Sequence, residues 1–122
     1  MAYQRLTGFM YSEVGEKVGA WRREGEPAIV PLSLPAIVQG YVDAHSRLSV
    51  LLLKREIHGY LRNNLTPGGL RNAAPFDYEL CFSEHYFGCN NHQFLLWVCR
   101  LLDENLKRTQ WRGIKRLFNR MY

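Results

Sequence analysis

Four arginines, Arg108, Arg112, Arg116 and Arg120, recur at intervals of four near the end of this chain, with Lys107 and Lys115 beside them. On a helix, positions four apart line up in a row. Arg108, Arg112, Lys115, Arg116 and Arg120 would therefore share one face. Like charges at that spacing repel by a few tenths of a kcal/mol per pair, roughly, and no carboxylate follows Glu104 to relieve them. A row of this kind suits an anionic partner. Guanidinium groups fork onto phosphates, and Trp111, in the middle of the row, could stack on a base or an arginine. A blander account is also available. Cations near a helix C-terminus favour the macrodipole, arginine stems cover apolar surface, and Glu13, Glu16, Glu24 and Glu26 could pair with the row in the fold.

A second basic set comprises Arg47, Lys54, Arg55, His58 and Arg62, of which Lys54, His58 and Arg62 are again four apart. If both sets open to the same side they would make a groove for nucleic acid.

Cys81, His85, Cys89, His92 and Cys99 fall within nineteen residues. Zinc takes four thiolate or imidazole ligands in a tetrahedron, so Cys81, His85, Cys89 and His92 are weak metal candidates. No CxxC pair is present and the spacing matches no standard finger, so buried thiols and capping histidines explain the same residues more simply. No metal or other cofactor is expected. A catalytic reading, with Cys81 or Cys89 as nucleophile, His85 or His92 as base and Glu84 as orienter, asks neighbours on one short element to converge on a substrate. There is no nucleophile elbow, and Gly68-Gly69 is not followed by the Lys-Ser or Lys-Thr of a phosphate loop. The expectation is a protein that is not an enzyme.

The charge is polarised. Asn105–Tyr122 holds six basic residues and no acidic one, whereas Met1–Glu104 carries ten basic against eleven acidic, so the formal net charge of +5 resides in the last segment. The 122 residues suffice for one core and are read as a single domain: an arm, short helix and Pro-rich connector over 1–32, then a helical core over 33–122. The longest apolar run, Phe94 to Cys99, is far short of the roughly 20 residues that span a bilayer. The first residues lack the apolar stretch of a secretory signal. A cytosolic protein without membrane contact is expected.

The elements that must position these residues are mostly helical. Residues 2–11 mix polar, aromatic and β-branched types and suggest a short strand or extended arm. Ser12 with Glu13 and Glu16 suggests a helix start, with Val14, Val18 and Trp21 as its apolar stripe. Pro27, Pro31 and Pro35 imply an extended connector from Gly25 to Leu32. Ser33 should cap a long helix, Pro35 in its first turn, running to about Arg62. Val38, Tyr41, His45, Leu48 and Leu52 give one apolar column, and Val50, Leu53, Ile57, Tyr60 and Leu61 another. Asn63, Asn64, Pro67, Gly68 and Gly69 stop it. Residues 75–88 read as a short helix closed by Gly88, or as a strand. Asn91 should cap the final helix, with Phe94, Val98, Leu101, Leu102 and Leu106 facing the core. Past Thr109 the apolar set shifts to Trp111, Ile114, Leu117, Phe118 and Met121, which implies a bend or two consecutive helices.

The expectation is thus an all-α bundle of four to five helices with an extended N-terminal arm. The leading function is a small nucleic-acid-binding protein, for DNA or RNA, or a basic subunit of a larger nucleoprotein assembly. The alternative is a protein–protein adaptor or inhibitor, of the compact accessory kind found in phages and mobile elements, whose basic helix docks on an anionic protein surface. A homodimer fits either reading.

Overall fold

The computed structural model describes residues 3–18, 24–25, 32–70 and 86–121, with side chains described as far as 109. It is mostly helical, as expected. The N-terminal residues correct the sequence reading. They form no extended arm but a short helix α1, Gln4–Gly8, which runs directly into a π-helical stretch, Phe9–Gly15. Ser12 therefore lies inside a helix and caps nothing. The π stretch, with its wider i→i+5 turns, keeps Phe9, Met10 and Val14 buried together, and Val18 beyond it is also buried.

The start of α1 is built by another helix. Tyr3, its N-cap residue, sits in the left-handed region at φ 65° and offers no side-chain cap. Glu56 supplies one instead: its Oε1 accepts from the Arg5 N–H at 2.9 Å and the Leu6 N–H at 3.4 Å. A carboxylate there meets both the unpaired amides and the positive end of the helix dipole. The Tyr3 ring packs edge-on against Tyr60 at 5.4 Å, and its hydroxyl accepts from Asn63 Nδ2 at 2.7 Å. These contacts compensate the unusual backbone, which a tyrosine adopts only at some cost.

Ser33 caps helix α2, Leu34–Ala44, as expected, accepting from the Ala36 N–H, and Pro35 occupies the first turn. The expected single helix from Ser33 to Arg62 is instead two. His45 and Ser46 are extended, and Ser46 starts α3, Arg47–Asn64, by accepting from the Ser49 N–H at 3.2 Å. The break has a consequence for the first apolar column. Val38 and Tyr41 are buried, whereas His45 and Leu48 are exposed. His45 stacks on Tyr41 at 4.1 Å and its Nδ1–H donates to the Tyr41 carbonyl, closing the end of α2. The second column, Val50, Leu53, Ile57, Tyr60 and Leu61, is buried throughout.

After α3 the chain makes a small hairpin, β1 (Leu65–Thr66) against β2 (Gly69–Leu70), around Pro67 and Gly68, with Leu65 opposite Leu70. Gly69 is at φ 120°, a backbone that side-chain-bearing residues rarely adopt. Gly88 takes the left-handed conformation wanted of a helix stop, while residues 75–85 lie outside the described residues. The last helix, α4, spans Asn91–Met121. Its cap is Asn90, one residue earlier than expected: Asn90 Oδ1 accepts from the Gln93 N–H at 2.8 Å, and Gln93 Oε1 accepts from the Asn90 N–H at 3.1 Å. This reciprocal pair is the capping-box arrangement.

The α4 stripe Phe94, Val98, Leu101, Leu102 and Leu106 is buried as expected, with Leu95 and Cys99 added. It packs against α2 and α3; α1 packs on α3 and the π stretch on α2. Arg47, at the start of α3, reaches the Leu106 carbonyl, and Lys54, two turns on, pairs with Asp103. The two helices therefore run antiparallel. Leu106 lies at the level where α3 begins, and α4 continues past it for fifteen residues. The helix is uninterrupted through Thr109 and Gly113, so of the two alternatives, a bend or two consecutive helices, the division into two does not occur.

Candidate nucleic-acid interface

Backbone positions 107–121 all belong to α4, which gives positions 108, 112, 116 and 120 the helical register that a row requires. At 1.5 Å per residue, successive members of the row are about 6 Å apart along the axis. The side chains of Trp111, Arg112, Lys115, Arg116 and Arg120 lie outside the described residues.

Lys107 is exposed, but Arg108 is not available in the same way. Its Nη2 donates to Asp43 Oδ1 at 2.8 Å, and its Nε and Nη2 donate to Asn105 Oδ1 at 3.1 and 2.9 Å. Its Nη1 is buried and has no partner among the described residues. Asp43 sits in the last turn of α2, where the helix dipole disfavours a negative charge and where no basic residue of the helix itself compensates. Arg108 answers that charge from α4. Asn105 is buried and held by its own Nδ2, which donates to the Leu101 carbonyl at 2.8 Å. The first arginine of the row thus joins α4 to the end of α2.

The second basic set divides likewise. Arg47 Nη1 donates to the Leu106 carbonyl at 3.3 Å, and Lys54 pairs with Asp103. Both join α3 to α4. Arg55, His58 and Arg62 are exposed, with no carboxylate partner among the described residues. Neither Lys107 nor Arg108 pairs with Glu13, Glu16 or Glu24 among the described residues, while Glu26 and the side chains of the rest of the row lie outside them. The carboxylates that do pair with candidate cations are Asp43 and Asp103, which sequence reasoning did not select. Asp43 could have been found as an acid misplaced at a helix C-terminus, but only with the end of α2 correctly located.

The cysteine–histidine candidates do not converge. Cys89 and His92 are half-buried, Cys81 and His85 lie outside the described residues, and no group of three or more metal-ligating side chains gathers among the described residues. Burial pushes the Cys89 thiol up. Cys99, 7% exposed, is pushed up to about 11 by burial first and by the Asp103 carboxylate second, against the opposing effect of Lys54. A thiol held protonated is a poor nucleophile and a poor ligand. Tyr41 is also raised, chiefly by burial; Arg5 opposes, while Glu13 and Glu56 add to the rise.

No protein-family model, no curated protein and no solved structure matches the chain. None of the described helices is long and apolar enough to cross a membrane.

Proposed function

We propose that this protein binds the phosphate backbone of nucleic acid, without catalysis, through the C-terminal half of α4. The observation that carries the reading is the continuity of α4 across a segment with six basic residues and no acidic one. Lys107, Arg112, Lys115, Arg116 and Arg120 are the binding residues, with Trp111 as a stacking platform. Arg108 is assigned a different part: it fixes the point from which the basic half departs. Arg47 and Lys54 likewise serve the α3–α4 contact. Binding of this kind suits a basic subunit of a nucleoprotein assembly, because contacts to phosphate position a protein without reading sequence.

The test is a salt titration of binding to generic duplex and single-stranded nucleic acid. Each cation that neutralises a phosphate contributes roughly 0.9 to the slope of log K against log salt for duplex, about 0.7 for single strands. Arg112→Ala with Arg116→Ala should weaken binding across all sequences and flatten the duplex slope by about two. Arg108→Ala should lower thermal stability and leave the slope nearly unchanged. Salt-independent binding, or equal slopes for all three proteins, refutes the assignment.

A further inference from the structure

Along the outward side of α3, Leu48, Leu51, Arg55, His58 and Arg62 follow one another at spacings of three, four, three and four, and all are exposed. This is the heptad spacing that keeps one seam turned towards a partner helix. It spans about 21 Å, some four turns. The opposite side carries Val50, Leu53, Ile57, Tyr60 and Leu61 into the core, so the seam is not a displaced part of it. Leu48 is 66% and Leu51 42% exposed, and Leu65, just past the end of the helix, is 48% exposed.

The seam is chemically divided. Its first two positions are leucines and the next three are basic, with no carboxylate among them. A polyanionic strand would account for Arg55 and Arg62 but gains nothing from two adjacent exposed leucines, which make no contact with phosphate. A second copy of the same seam would set arginines against arginines in a parallel pair, and in an antiparallel one Arg55 against Arg55 and Arg62 against Leu48. The charge and the apolar pair are both answered by an amphipathic helix with leucines at one end and carboxylates at the other. We propose that this face of α3 docks an acidic amphipathic helix of a partner protein, Leu48 and Leu51 packing on its apolar end and Arg55 and Arg62 pairing with its carboxylates. Helices of that kind are read through anchors three and four residues apart, and charges along such a seam set partner choice. The surface lies on a different helix from the basic row of α4 and stands or falls independently of it.

The experiment uses the full chain and two synthetic helical peptides of identical heptad pattern, with leucines at one end of the seam. One carries glutamate at the remaining seam positions and the other lysine; binding is followed by fluorescence anisotropy. The acidic peptide should bind saturably and at least about tenfold more tightly than the basic one, a difference of about 1.4 kcal/mol. Arg55→Glu with Arg62→Glu should invert the preference, and Leu48→Glu with Leu51→Glu should abolish binding of both peptides. All four positions are exposed, and circular dichroism checks that the fold is kept; Arg55→Gln with Arg62→Gln serves if the reversal disturbs it. Equal affinity for the two peptides, or no saturable binding of either, overturns the proposal. Loss of duplex affinity in the arginine variants without a change in peptide preference would give the face to nucleic acid instead. A concentration-dependent dimer dispersed by the leucine variants would give it to a second copy.

Discussion

Arg108, Lys54 and Arg47 show how little the type of a side chain says about its use. From the sequence they are members of two basic sets; in the fold each spans an interhelical gap and meets an acceptor on the far side. Their partners, Asp43, Asp103 and the Leu106 carbonyl, lie many residues away, and nothing local marks them. Cys99 is the counter-example. Its reading as a buried thiol rested on the absence of any finger-like cysteine spacing, and it is buried, next to Val98 in α4. A thiol whose folded pKa is raised stays protonated while the unfolded chain's ionises. Its contribution is complete below pH 9 and is lost as pH climbs towards about 11. Stability should fall by about 2–3 kcal/mol across that window from this group. Tyrosine and lysine titrate nearby, so the measurement is the difference between wild type and Cys99→Ala in denaturant midpoints from about pH 9 to about pH 11, the span between a free thiol and this one. The fall should be shallower in the variant.

The elements were legible where one helix makes its own boundary and obscure where another helix makes it. Ser33 with Pro35 announced α2, and Asn63 to Gly69 announced the end of α3, because caps and breakers are local chemistry. Ser46 was passed over because the apolar pattern runs through it. Helix α1 was missed because its cap belongs to Glu56, fifty-one residues from Arg5. Glu56→Ala should therefore destabilise the protein by about 1 kcal/mol, as the loss of an ordinary cap does, and Glu56→Gln by less, since an amide oxygen can still accept. Amide hydrogen exchange at Arg5 and Leu6 should accelerate in the alanine variant before exchange in α3 changes. Unaltered protection at those two amides would show that Glu56 is not their cap.

Across the whole molecule, apolar and charged residues are distributed by different rules. The core draws on every described helix, from Leu6 and Phe9 through Val38 and Leu53 to Leu102. The N-terminal residues are as much a part of it as α4 is. Leu6→Ala should accordingly lower stability by about 2–5 kcal/mol, the range for emptying a fully buried site. It should shift one cooperative transition, with circular dichroism and tryptophan fluorescence changing together; an early separate melt of the N-terminal residues would contradict this. The helical class and the α4 stripe were readable because burial follows periodicity. The candidate site was readable only as a concentration of charge, since the sequence says how many cations are present and the fold says which are already engaged.

The unbroken run of α4 from the buried Leu102 into the basic segment makes the helix a lever. Some 18 Å of rod separates positions 108 and 120, and its fulcrum is the Arg108–Asp43 pair at the end of α2. A load applied near the tip would be felt as torque on that corner before it reached the leucines beneath, so a ligand held there, as proposed, would also strain the α2–α4 joint.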